Sequence, residues 1–205
     1  MLDKYEKALG CNTYFLYKDK NNALIVDPGY NGGNCLIEHI KKLGLMITAI
    51  LITHGHFDHI GALEDICSMF PNAQIYCSDH TLIEIGDPKY NLRNSLTYVP
   101  KNVVILCDNE QFKAGGYEIT MIHTPFHTIG SSCFYIKQEN VLFSGDTLFM
   151  SSIGRTDLPS GSSRTIESSL RKLLILSKET KVFPGHGPNT TIERESKYNP
   201  YLRNI

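Results

Sequence analysis

The run Thr53-His54-Gly55-His56-Phe57-Asp58-His59 places three imidazoles and a carboxylate within six positions. Imidazole nitrogen and carboxylate oxygen are donors that suit zinc, iron or manganese, and a group this dense has few purely structural uses. On an extended segment alternate side chains share a side, so His54 and His56 can converge on one point. Local donors alone do not complete two coordination spheres. Three later residues, His127, Asp146 and His186, each follow an apolar run and adjoin Gly, Pro or Thr, as donors arriving from other strand ends would. Taken singly, a histidine is usually packed or solvated and a Gly-Asp pair is usually a turn; only the set points to a metal centre. His123 and His127 stand four apart, but the intervening Pro125 argues against a helix, which leaves His123 as a hydrogen-bonding residue behind the ligands. His39 and His80 lie in amphipathic stretches without suitable neighbours and read as ordinary residues.

The elements that must carry these residues follow from periodicity. Cys11 to Tyr17 and Ala23 to Val26, separated by a polar run from Lys18 to Asn22, read as a hairpin. Asp27-Pro28-Gly29 and Asn31-Gly32-Gly33 break that pattern, and Asn34 is placed to cap a helix bearing Leu36, Ile37, Ile40 and Leu43 before Gly44 ends it. Ile47 to Ile52 is a short apolar run, as expected for a strand buried on both faces, and the histidine cluster falls on the loop where it ends. A helix is expected over Leu63 to Phe70, a strand over Gln74 to Cys77, a helical turn over His80 to Ile85 and a long loop from Asp87 to Asn102. Strands follow at Val103 to Leu106, Tyr117 to Ile122, Ser132 to Ile136 and Val141 to Phe143. A helix from about Ser163 to Leu176 comes next, and Val182-Phe183 leads into the second histidine loop. Strands in two groups, each mixed with helices, predict an α/β (α+β) fold of two facing sheets with helices outside, a four-layer αββα sandwich. With no linker or repeat, residues 1–205 read as one domain.

Composition narrows the function. A chain of 205 residues with 41% hydrophobic and 20% charged residues is that of an ordinary globular protein with its own core. A net charge of -1 and a pI near 6.7 give no basic footprint for nucleic acid. No apolar run approaches the roughly 18 residues of a membrane-spanning helix, and the N-terminus lacks the apolar core of a secretion signal, so a cytoplasmic protein is expected. The six cysteines contain no C-x-x-C pair and read as buried free thiols. Oligomeric state is not encoded in any feature of the chain.

The cluster from Thr53 to His59 resembles the T-H-x-H-x-D-H signature of the metallo-β-lactamase superfamily. His123-Thr124-Pro125-Phe126-His127-Thr128, Ser144-Gly145-Asp146-Thr147 and Pro184-Gly185-His186-Gly187-Pro188 resemble that family's later metal segments in the same order. The resemblance implies the metallo-β-lactamase fold and two divalent metals, zinc first, with iron or manganese also fitting the donors. It implies one metal on His54, His56 and His127, a second on Asp58, His59 and His186, and Asp146 bridging them. A shared water would then act as nucleophile, oriented by Asp58, with Thr53 and His123 fixing imidazole tautomers. Phe126 and Ile129 stand where relatives commonly show Gly and Pro, which concerns loop shape and access to the site.

Thioesters are the substrates that ask least of such a centre, because a thiolate with a pKa of about 8.5 leaves without a proton donor whereas an amine requires one. Gly154-Arg155-Thr156-Asp157-Leu158-Pro159 resembles a segment of glyoxalase II-like proteins and of persulfide dioxygenases; Arg155 and Asp157 are there either a surface ion pair or a substrate contact. The end of the chain resembles a short glyoxalase II-like subgroup lacking the C-terminal helical domain. The expected activity is hydrolysis of a hydroxyacylglutathione-type thioester, a small-molecule substrate. Persulfide dioxygenation with one iron, and hydrolysis of a small ester or lactone, are the alternatives. A metal-binding module without activity would require the open coordination position to be blocked, and Phe126 is the residue placed to block it.

Overall fold

The computed structural model describes residues 1–6, 11–29, 35–93, 98–203 and 205. Two six-stranded sheets face each other. The first runs β1 (Leu2–Glu6), β2 (Asn12–Leu16), β3 (Ala23–Val26), β4 (Ile47–Leu51), β5 (Gln74–Cys77), β6 (Val103–Ile105) in spatial order. Its first three strands are antiparallel, and β3 to β6 are parallel. The parallel half needs crossovers, supplied by α1 (Cys35–Leu43), by α2 (Phe57–Ile60) with α3 (Leu63–Met69), and by α4 (Asp79–Gly86) with α5 (Pro88–Asn91).

The second sheet contains β7 (Gln111–Ala114), β8 (Tyr117–His123), β9 (Ser132–Ile136) and β10 (Val141–Gly145). A small hairpin, β11 (Leu148–Phe149) with β12 (Ser152–Ile153), and the helix α6 (Ile166–Leu174) precede β13 (Lys181–Pro184), β14 (Thr190–Thr191) and α7 (Ile192–Tyr198). The order in space is β14-β13-β10-β9-β8-β7, with β10 and β13 parallel.

Alternation along the strands builds the layers. Tyr14, Leu16, Leu24, Val26 and Leu51 of the first sheet meet Ile119, Met121, Phe134, Ile136 and Phe143 of the second in a core between the sheets. Their neighbours Phe15, Ile25, Ile50 and Ile75 point outward onto Leu36 and Ile40 of α1 and Leu63 and Ile66 of α3. Ile122, Tyr135, Leu142 and Val182 point outward onto Leu170 and Leu173 of α6. Side chains of period two on both sheets, each covered by a helix stripe, give the αββα sandwich.

Several expectations are corrected. The histidine cluster does not lie wholly on a loop: Phe57–Ile60 closes a helical turn, with the His59 N–H donating to the His56 carbonyl at 2.9 Å. The stretch from Asp87 is not all loop, because Asp87 caps α5 by accepting from the Lys89 N–H at 2.9 Å and Pro88 occupies its first turn. Strands β1, β7 and β14, the β11–β12 hairpin and α7 had no counterpart in the sequence reading. The capping role expected of Asn34 lies outside the described residues. All six cysteines are free, but only Cys11, Cys77 and Cys133 are buried, and Cys107 is exposed. No helix among the described residues is long and apolar enough to cross a membrane.

Candidate metal centre

The seven residues singled out by type and spacing meet at one edge of the sandwich, each following the C-terminal end of a strand. His54 to His59 follow β4, His127 follows β8, Asp146 follows β10 and His186 follows β13. Strand β2 fixes the last of these loops: the Asn12 N–H donates to the Gly185 carbonyl at 2.7 Å, and Asn12 Nδ2 and the Tyr14 hydroxyl donate to the Pro184 carbonyl at 2.9 and 2.7 Å. Gly185 allows a close approach. A Cβ there would collide with the Asp146 carboxylate and the His59 ring, so any other residue would push the loop off the centre.

Two donor sets result. His54 Nε2 lies 3.2 Å and His127 Nε2 3.0 Å from His56 Nδ1. On the other side His186 Nε2 lies 3.2 Å from His59 Nε2 and 3.1 Å from Asp58 Oδ2. The Asp146 carboxylate stands between them, Oδ1 at 3.4 Å from His59 Nε2, and Oδ2 at 3.5 Å from His127 Nε2 and 3.7 Å from His186 Nε2. The donor atoms of His54, His56 and His127, of His54, His59 and Asp146, and of Asp58, His59 and His186 form three overlapping groups, each within 4.8 Å, that could hold metal ions.

The outer hydrogen bonds determine which nitrogens face inward. His127 Nδ1 lies 2.8 Å from the Arg155 carbonyl, which can only accept, so Nδ1 carries the proton and Nε2 a lone pair. His59 Nδ1 donates to Asp27 Oδ2 at 2.9 Å. The Thr53 hydroxyl gives its proton to Asp27 Oδ2 at 2.7 Å and therefore accepts from His54 Nδ1 at 3.1 Å. Three imidazoles thus keep Nδ1 on an outer partner and turn Nε2 to the centre, bare on His54 and His127 and, once a cation displaces its proton, on His59. Nitrogens turned inward in this way are placed to bind a cation, and Asp146 Oδ1 is buried with no hydrogen-bond partner among the described residues. The residues present fit a pair of metal ions.

Charge follows the same plan. Burial, then the neighbouring imidazoles, pushes His54 well below the usual histidine range and His56 down to about 3, so both are neutral as ligands must be. Burial opposes ionisation of Asp58 and Asp146, but His59 and His186 beside Asp58, and His59 and His127 beside Asp146, outweigh it and lower both carboxyls. Burial likewise opposes protonation of His59, yet the carboxylates of Asp146 and Asp58 raise it well above the usual range; Cys11 beside it, pushed up to about 11 by burial, is a neutral thiol at neutral pH and adds no charge. Burial is again outweighed at His186, which Asp58 and Asp146 raise. Without metal, protons on these two rings balance the carboxylates.

The remaining candidate residues divide. Thr53 touches a ligand ring, as described. His123 does not: its Nε2 bonds the Ile129 carbonyl at 2.8 Å, which closes the 123–129 loop and corrects the expectation that it fixes a ligand tautomer. Arg155 and Asp157 form a bidentate pair at 2.7 and 2.6 Å in solvent, while the Arg155 backbone holds His127. Phe126 is 0% exposed and packs in the apolar cluster of Ile122, Leu148 and Leu170, as a core residue does. The open side is marked by Asp58 and His186, with side chains 22% and 30% exposed, and the Phe149 ring stands against His186 at a centroid distance of 6.3 Å. Asp27 is the participant that sequence reasoning missed. It too follows a buried strand end, in Asp27-Pro28-Gly29, and that repeated placement was the available signal.

Comparison with known proteins agrees with this geometry. The family model described as metallo-beta-lactamase superfamily matches residues 7–186. The chain is 38% identical to the probable metallo-hydrolase YqgX of Bacillus subtilis, over 93% of this chain and 92% of that protein. It is 36% identical to the hydroxyacylglutathione hydrolase GloC of Haemophilus influenzae, with the same shares covered. Among solved structures, the BLEG-1 B3 metallo-beta-lactamase superposes with a TM-score of 0.87 at 37% identity, covering 98% of this chain and 99% of that one. TTHA1623 in a di-iron-bound form superposes with a TM-score of 0.83 at 30% identity, covering 98% and 100%. The chain belongs to the metallo-beta-lactamase superfamily.

Proposed function

We propose that this protein is a two-metal hydrolase of small thioesters of the hydroxyacylglutathione type, acting in the cytoplasm. The observation that carries the reading is the pair of donor sets joined by Asp146, with three imidazoles held through Nδ1 so that Nε2 faces the centre. His54, His56 and His127 would hold one ion, Asp58, His59 and His186 the other, and Asp146 both. Two divalent cations held there would supply hydroxide at neutral pH, by lowering the pKa of a shared water toward about 7, and would polarise a carbonyl oxygen.

The chain's own groups do the rest. Asp58, ionised and partly open to solvent, orients the attacking water by accepting its hydrogen bond. Phe149 offers an apolar wall beside His186 for the acyl group. A thiolate leaving group needs no acid from the protein. Free cysteines fit a reducing compartment.

Similarity to GloC supports a glutathione thioester as substrate. Similarity to BLEG-1 favours a second reading, β-lactam hydrolysis at the same centre. A persulfide dioxygenase would use one iron, two histidines and one carboxylate and leave His186 unemployed. The test is thiol release from S-D-lactoylglutathione by zinc-loaded protein, run beside a chromogenic cephalosporin and oxygen uptake with glutathione persulfide. Thiol release as the dominant activity supports the proposal; cephalosporin turnover or oxygen uptake in its place would replace it.

A further inference from the structure

Glu84 lies on α4, outside every motif that named the centre, yet its carboxylate is buried and binds three loops at once. Oε2 accepts from the Gly55 N–H at 3.1 Å and from the Thr128 hydroxyl at 3.1 Å. Oε1 accepts from the Gly130 N–H at 3.0 Å and from the Ser160 hydroxyl at 3.1 Å. Gly55 separates His54 from His56, Thr128 follows His127, and Ser160 comes directly after the segment whose Arg155 carbonyl orients His127. The start of the same helix reinforces the contact: the hydroxyls of its cap Ser78 and of Thr81 donate to the Gly130 carbonyl at 3.1 and 2.9 Å. Gly55 has no room for a side chain, because a Cβ would run into Glu84.

None of these bonds reaches Asp58, His59 or His186. That set is served instead by Asp27, through His59, and by the β2 contacts to the loop of His186. We propose that Glu84 is a positioning residue for one metal site alone, the set of His54, His56 and His127. It holds together the loops that carry those three rings, so its loss lowers affinity for one ion of the pair and spares the other. The inference rests on the two-site metal reading proposed above.

The experiment uses the full chain and zinc, with stoichiometry after exhaustive dialysis and stepwise affinity from competition with a chromogenic chelator. Glu84→Gln keeps the shape but turns one acceptor into a donor. It is expected to retain about one zinc per chain where the parent retains two, the weakened step falling by about 10- to 100-fold. The site is identified in two backgrounds. Added to His186→Ala, Glu84→Gln should strip the remaining zinc; added to His127→Ala, it should leave the remaining zinc in place.

Should Glu84→Gln not fold, Thr128→Val and Ser160→Ala each remove one donor to the carboxylate and carry the same test, with a smaller loss confined to the same step. Equal weakening of both steps, loss in the wrong background or unchanged affinities in all variants would overturn the assignment. A parent chain holding fewer than two zinc ions would refute the two-site reading and this inference with it, and that failure shows before any variant is made.

Discussion

Asp27 Oδ2 accepts at once from His59 Nδ1 at 2.9 Å and from the Thr53 hydroxyl at 2.7 Å, and Thr53 in turn accepts from His54. One buried oxygen therefore sets the tautomer of an imidazole in each donor set. Asp27→Ala is expected to lower metal affinity by about 10- to 100-fold, the usual consequence of losing an outer partner of a ligand histidine. It also strands the buried Thr53 N–H, which bonds Oδ1 at 2.8 Å, at a cost of about 1–3 kcal/mol in stability. Chelator competition and chemical denaturation of the metal-free protein measure the two effects separately.

Metal loading should release protons. His59 and His186 are both raised by neighbouring carboxylates, so in the metal-free protein they hold protons to higher pH than an isolated imidazole, and a metal must displace them. The sign is fixed: as pH falls, protonation competes harder and affinity drops, whereas His54 and His56, already neutral, contribute no release near neutrality. Calorimetric zinc titration in buffers of different ionisation enthalpy counts the protons, and a count of zero at neutral pH would contradict this picture.

Phe126→Ala separates a core residue from a plug. The ring is packed among Ile122, Leu148 and Leu170, so its removal should destabilise the fold by about 3–5 kcal/mol. Metal content and turnover per folded molecule should not change at a temperature well below unfolding. A gain in activity with little loss of stability would instead mean that the ring obstructs the site.

Arg155→Ala tests whether this loop acts through its side chain or its backbone. The ion pair with Asp157 is exposed, and His127 is held by the Arg155 carbonyl, which the substitution keeps. Thermal stability and zinc stoichiometry are therefore expected to match the parent, as measured by a melting curve and metal analysis.

What could be read in the chain, and what could not, divides along the range of the interaction. Ile47 to Ile52, Ser132 to Ile136 and the helix stripe of Leu170 and Leu173 are local patterns, and they form where the periodicity places them. The donors announce themselves by type and by their position after apolar runs. Asp27 shares that position, but its partner Thr53 lies 26 residues away, and Glu84 lacks even the position, its partner Gly55 lying 29 residues away where only the folded sheets bring it near. Other omissions had local signals that went unused. Gly115-Gly116 between Gln111–Ala114 and Tyr117–His123 is a two-residue hairpin turn, and Asp87-Pro88 is a helix start. Strand β1 is an edge strand in which Leu2 shares a face with Lys4 and Tyr5 shares one with Asp3, so no apolar alternation marks it.

The most direct test of the account is to add zinc stepwise to metal-free protein while following thiol release from S-D-lactoylglutathione. The account predicts that hydrolysis rises to a plateau at two zinc ions per chain and that an Asp146→Ala variant reaches no comparable plateau. Full hydrolysis at one ion per chain, or a chain filled with two ions that releases no thiol, would contradict it.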